Sequence, residues 1–151
     1  MALDPTLQES LYKLSIRKYF VDNLVTARGV YISFDKVYSI PVVNGLEMTN
    51  WIVFHFGPTK IDILSNALLF AYCFSRKDPD NVNLSVLRDK LMDTLFDHTA
   101  TDGLKKIPYL NDARVKIGGI VPLVVNESEI ELGADGSNVK TVSIRMNWGT
   151  K

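Results

Sequence analysis

Two stretches of this chain leave little freedom in how it can fold. Trp51-Ile52-Val53-Phe54-His55-Phe56 and Ala67 to Phe74 are near-continuous apolar runs, rich in aromatic and branched side chains, bracketed by Gly57-Pro58 and by Arg76-Lys77-Asp78-Pro79. Apolar runs of this length between turn residues read as sheet strands buried on both faces. Ile61 and Ile63 alternate with polar neighbours and extend the second run backward, so the pair is expected to form a long antiparallel hairpin. Strands of this kind need cover on both faces, and the rest of the chain has to supply it.

Two helices are available for that purpose. Asp4-Pro5 is a good helix opening, because the carboxylate can accept from free N–H groups and proline suits the first helical position; Thr6 and Glu9 offer an alternative capping box. Leu7, Leu11, Leu14, Tyr19, Phe20 and Leu24 then recur at near-helical spacing, which predicts one long amphipathic helix ending near Asn23. A second helix is predicted from about Asn83 to His98, with Leu84, Leu87, Leu91 and Leu95 on one stripe and Arg88, Asp89, Lys90, Asp93 and Asp97 elsewhere.

The remaining segments have strand character. Val30, Ile32 and Phe34 alternate with Tyr31 and Ser33, Val37 to Ile40 can continue or pair with that strand, and Pro41 and Asn44-Gly45 mark a turn. Ile120 to Val125 is apolar but contains Pro122, which argues for an edge or a bulge. Glu127, Glu129 and Glu131 alternate with Ser128, Ile130 and Leu132; Gly133 to Asn138 can then return the chain into a last strand in which Val142, Ile144, Met146 and Trp148 alternate with polar residues. No repeat or linker divides the 151 residues. The reading is a single α+β domain over residues 1–151, with a mainly antiparallel sheet flanked by a long N-terminal helix and one internal helix.

Charge and composition narrow the function classes. Lys+Arg and Asp+Glu both number 17, so bulk attraction to nucleic acid or an anionic membrane is disfavoured. The only cysteine, Cys73, lies inside an apolar run and reads as a small buried hydrophobe suited to a reducing compartment. The start Met-Ala-Leu-Asp-Pro has no basic segment followed by an apolar one, and the longest apolar run, about eight residues, falls short of the ~20 that span a bilayer, so neither export nor membrane insertion is expected.

No catalytic, cofactor-binding or metal-ligating residue is assigned. His55 and His98 sit in neither a nucleophile elbow nor metal-ligand spacing; His55 belongs to an apolar strand and His98 to the end of the second helix, where a cation suits the dipole. Asp78, Asp80 and Asp89 resemble positions of a calcium loop, but Val82 and Asn83 stand where a ligand and the turning glycine belong, so a turn leading into an Asn-capped helix is the better reading. Gly118-Gly119 lacks the lysine of a phosphate loop and is expected to bend the chain between strands. Lys105, Lys106, Arg114 and Lys116 form one local basic cluster, read as a solvated or subunit-facing surface because only Tyr109 is interleaved for base stacking. Glu127, Glu129 and Glu131 are expected to leave one strand face roughly 6–7 Å apart, a row suited to a channel lining or a subunit interface, or simply to solvent with Lys140 as a partial offset.

The order of a helix, a hairpin-rich sheet, an internal helix and closing strands, with Trp51 to Phe56, Ala67 to Arg76 and the helix at Asn83 at its centre, resembles the tail terminator proteins of long-tailed bacteriophages. That resemblance implies a structural protein without cofactor or turnover, forming a hexameric ring at the tail–neck junction of the virion after assembly in the host cytoplasm. Such a ring caps the tail tube protein, ends its polymerisation and presents a surface to the head–tail connector or neck proteins. In a contractile tail it would also meet the sheath protein, and DNA would pass through it without specific binding. Another neck or head–tail completion protein is the neighbouring alternative. A small metal-dependent hydrolase or nuclease using Asp78, Asp80 and Asp89 is the alternative from a different class.

Overall fold

The computed structural model describes residues 8–34, 40–61, 64–132 and 136–149. In chain order the elements are α1 (Gln8–Phe20), a π-helical continuation (Val21–Thr26), β1 (Ile32–Phe34), β2 (Val42–Val43), β3 (Leu46–Glu47), β4 (Asn50–Lys60), β5 (Leu64–Ser75), α2 (Val82–Asp93), β6 (Ile107–Leu110), β7 (Lys116–Glu127), β8 (Glu131–Leu132) and β9 (Asn138–Gly149). This is the expected α+β architecture with a mainly antiparallel sheet. The proposed helix opening at Asp4, Pro5 and Thr6, the apolar Leu7, the segment Val37 to Ser39, and Ile63 lie outside the described residues.

The long hairpin forms the middle of a seven-stranded sheet ordered β1-β4-β5-β9-β7-β6, with β8 also paired to β9. β5 is paired antiparallel to β9 along its whole length and to β4 from Asn66 to Ser75, while β1 joins β4 in parallel. The Gly57-Pro58 pair does not end β4: the strand continues to Lys60 through a register shift between Phe56 and Thr59. Proline is tolerated there because, among the described residues, β1 reaches only Ile52–Phe54 and no strand pairs with that side of β4 beyond it. Gly57 is required on packing grounds, since a Cβ at this position would sit 2.7 Å from the Phe70 ring.

Both helices pack on one face of this sheet. Its inward residues Ile52, Phe54, Leu69, Ala71, Cys73, Ile144, Met146 and Trp148 share a core with Tyr12, Ile16, Phe20 and Leu24 of the first helix and Leu84, Leu87 and Leu91 of the second. Aromatic rings dominate the seam: Tyr12 stacks on Trp148 with centroids 4.5 Å apart, and Phe20 stacks on Phe54 at 4.4 Å, with Phe34 at 5.1 Å on the same ring. Cys73 is fully buried here, and burial pushes its thiol up to about 12.

The first helix differs from its predicted form in two respects. Its buried stripe runs through Tyr12, Ser15, Ile16, Tyr19 and Phe20, so Leu14 points outward and is 62% exposed. Two apolar stripes overlap in this sequence, and the one carrying the rings that stack on β4 and β9 faces the core. The helix also passes Asn23 as a π-turn and stops at Gly29, whose φ of +65° lets its N–H return to the Val25 carbonyl and the Val30 N–H to the Leu24 carbonyl.

The second helix keeps its leucine stripe but is shorter than predicted, ending at Asp93. The Thr94 hydroxyl turns back to the Leu91 carbonyl, and Tyr19 donates its phenol to the Thr94 carbonyl, which pins the end of α2 against α1. The Asn44-Gly45 turn is as expected, with both residues at positive φ between β2 and β3.

Candidate subunit-contact surfaces

Among the described residues, the second face of the sheet is covered at one end only. Trp51, Val53 and Phe74 form a small cluster there with Tyr31, Ile40, Met48, Tyr72 and Val139. The β2–β3 hairpin holds this cover through Arg76, which pairs with Glu47 at 3.0 Å and donates to the Met48 carbonyl. Further along the same face, Leu68 and Phe70 of β5 are half-buried, while Leu123 and Val125 near the bulge in β7 are 41% and 49% exposed. His55 and Arg145 are exposed on this face as well. No helix among the described residues packs over it.

The C-terminal hairpin carries the glutamates, but not as one strand face. β7 ends at Glu127, residues 128–130 are irregular, and pairing resumes at Glu131 with β8. Ser128 bridges the break: its N–H donates to the Thr141 carbonyl and its hydroxyl accepts the Thr141 N–H. Glu127 turns toward α2 and takes a two-bond fork from Arg88, 2.8 and 2.9 Å. That hydrogen-bonded pairing, opposed by burial and helped by the charges of Arg88 and Lys140, holds the Glu127 carboxyl below the usual glutamate range. Glu129 and Glu131 are exposed and have no ion pair among the described residues, so the expected row of three is reduced to two.

The basic cluster belongs to a groove at the opposite end of β7. β6 is held against α1 by the Tyr109 hydroxyl on the Gln8 carbonyl, 3.0 Å, and by the Ser15 hydroxyl accepting the Leu110 N–H, 2.9 Å. On the solvent side of this seam lies a cleft of about 570 Å³ lined by Leu14, Arg17, Lys18, Val21, Leu110 and Arg114. A neighbouring cleft of about 360 Å³ shares Ser15, Lys18, Asp22 and Leu110 with it and extends to Lys105 and Lys106. Arg114 sits at the tip of the β6–β7 turn at φ 60°, fixed by its N–H on the Asn111 carbonyl and by the Asn111 side chain on the Val115 N–H. Lys18 is tied to Asp22 at 2.8 Å, whereas Arg17, Lys106, Arg114 and Lys116 have no ion pair among the described residues. The contribution of Leu14, Arg17 and Lys18 escaped the sequence reading, which placed Leu14 in the core stripe; the signal that could have found it is the alternative stripe through Tyr12, Ile16 and Tyr19, which puts these three on the opposite face.

Several of the residues weighed for chemistry have structural partners, while Asp80 is exposed in the turn before α2. Asp78 caps α2: its carboxylate accepts the N–H groups of Asn83 and Leu84 at 3.2 and 2.9 Å and the Ser75 hydroxyl at 3.0 Å. Burial works to raise its pKa, but these bonds prevail and hold the carboxyl below the usual range. Asn81, at the N-cap position, is left-handed and makes no side-chain cap bond, so the predicted asparagine cap is replaced by an aspartate reaching from three residues earlier. Asp89 pairs with Arg88 at 3.0 Å. His98 lies beyond the end of α2, and its ring meets the Asp93 carboxylate at 3.3 Å rather than the helix carbonyls; Asp93 is also paired with Arg28. Gly118 and Gly119 are inside β7, opposite Tyr109 and Pro108, next to the point where β7 exchanges β6 for β9 as its partner. Among the described residues, no group of three His, Cys, Asp or Glu is arranged to hold a metal ion.

Fold and surface together define an α+β domain with three distinctive surface features: a sheet face that the described residues cover at one end only, an acidic strand edge, and a groove lined by basic and apolar side chains with Asp22 and Asp112. No protein-family model matches the sequence, and no curated protein is significantly similar to it. Among solved structures, a chain carrying no functional name is similar in fold, with a TM-score of 0.56 at 11% identity, covering 92% of this chain and 96% of that one.

Proposed function

We propose that this chain is a structural assembly subunit of a phage tail, forming a ring, hexameric by the family resemblance, that caps the tail tube and joins it to the head connector. The observation that carries this reading is the outer sheet face beyond the Trp51 cluster, where Leu68, Phe70, Leu123 and Val125 remain partly or largely accessible. Strands that are apolar on both faces, with helices on only one, call for cover from another chain. Among the described residues, the sheet edges of β4 beyond Phe54 and of β7 beyond Val121 have no strand partner and offer further contact, and Pro122 and the bulge after Val124 blunt the second against unselective pairing.

The test is native mass spectrometry and negative-stain electron microscopy of the purified chain, alone and with tail tube protein. Closed rings, alone or seated on tube ends, are the expected result. A chain that stays monomeric with tube ends present would exclude the ring.

A further inference from the structure

We infer that the ring contact is head to tail between copies of this chain, with the acidic β8 edge of one copy seated in the basic α1–β6 groove of the next. This rests on the ring reading above and specifies which surfaces meet. The first argument is charge. The chain is neutral overall, with 17 basic and 17 acidic residues, while the groove has an excess of positive charge, Arg17, Lys18 and Arg114 against Asp22, which is paired with Lys18, and Asp112, and the β8 edge is acidic. Glu129 and Glu131 stand exposed on the hairpin edge, while Arg17, Lys106 and Arg114 surround the groove, and none of the five has an ion pair among the described residues. Opposed patches of this kind fix register and select partners.

The second argument is apolar matching. Between the two glutamates lies Ile130, 41% exposed, and next to them Leu132, 77% exposed, on a two-residue strand whose outer edge has no partner among the described residues. The groove, about 570 Å³, is lined on its apolar side by Leu14, Val21 and Leu110. Covering Leu132 with Leu14 removes two of the most exposed large apolar side chains of the domain from water in one contact.

Geometry then sets the symmetry. The groove adjoins the Lys116 end of β7 and the glutamates follow its Glu127 end, so the 12-residue strand separates them by roughly 35 Å at ~3.3 Å per residue. A copy cannot satisfy its own groove, and two unlike surfaces at opposite ends of one strand make a heterologous contact, the type that closes into rings.

The experiment uses two charge-reversed full-length chains: Glu129→Lys with Glu131→Lys, and Lys106→Glu with Arg114→Glu. All four positions are exposed, and circular dichroism checks that both chains fold. Each variant alone should lose the ring, because its edge and groove then carry the same sign. Mixed in equal amounts, they should assemble into rings of alternating composition by native mass spectrometry, and raised salt should weaken them. Three results would overturn the contact. If either variant alone rings as readily as the wild type, the contact lies elsewhere and the ring reading stands. If the folded mixture stays monomeric, the pairing is wrong. If the groove variant loses duplex DNA binding in a gel shift while its rings persist, the groove serves DNA. A wild-type chain monomeric even with tube protein removes the ring and this contact together.

Discussion

The two faces of the sheet are built from the same alternating strands and end in different states. Inward, Phe54 lies under Phe20 and Phe34 with no exposed surface, and two helices close over it. Outward, one step along the same strands, Phe70 is only half-buried, and Leu123 and Val125 open to solvent. Sequence hydrophobicity alone does not distinguish these positions. The difference teaches that apolar content in a strand measures how much cover it needs, while the inventory of helices tells how much its own chain can give.

This contrast can be broken experimentally. Phe54→Ala should cost roughly 3–5 kcal/mol in urea melts of the isolated subunit, because it removes a fully buried ring that stacks on Phe20 and Phe34. Leu91→Ala, in the buried stripe of α2, should cost roughly 2–5 kcal/mol; a loss under ~1 kcal/mol would mean that α2 does not close the inner face.

Glu127→Gln probes the link between α2 and the last hairpin. At pH 7 it should cost about 0.5–1 kcal/mol, since both partners of the Arg88 fork are partly solvated. The folded pKa of Glu127 is depressed, so its contribution is fully present above the ordinary glutamate value of about 4.3 and is lost as pH falls through the folded value. Melts at pH 7 and pH 3 should therefore show the difference between wild type and variant shrinking in acid. The smallest effect is expected outside: Leu123→Ser with Val125→Ser should change subunit stability by no more than about 0.5 kcal/mol while weakening assembly. A large loss in the monomer would show that this face is already covered.

Much of the fold was legible in the sequence where one physical cause dominates. Trp51–Phe56 and Ala67–Phe74 read as central strands because burial on both faces removes alternation, and Asn44-Gly45 read as a hairpin turn because both residues accept positive φ. Leu84, Leu87 and Leu91 marked the inner stripe of α2 correctly, while Leu95, expected as its fourth member, is buried beyond the helix end. Partners distant in sequence were not legible. β6 was missed because Pro108 and two lysines break up its pattern, and what makes it a strand is its seat on α1, with Tyr109 bonded to Gln8. The glutamate alternation looked like one strand because letters do not show that the Ser128 hydroxyl replaces a ladder bond, nor that Arg88 claims Glu127.

β9 comes after every other strand in chain order and yet lies between β5 and β7. During synthesis the β4–β5 hairpin can form early, but the flank of β5 that awaits β9 stays open, and β6 and β7 have no sheet to join. The ribosome must release residues 138–149 before the two halves of the sheet can be connected. Until then the nascent chain presents an unpaired, strongly apolar strand edge, the kind of surface that chaperones hold and that aggregates grow from. The subunit is thus expected to complete its fold only after translation has passed β9, with its long-range pairings forming last and slowly.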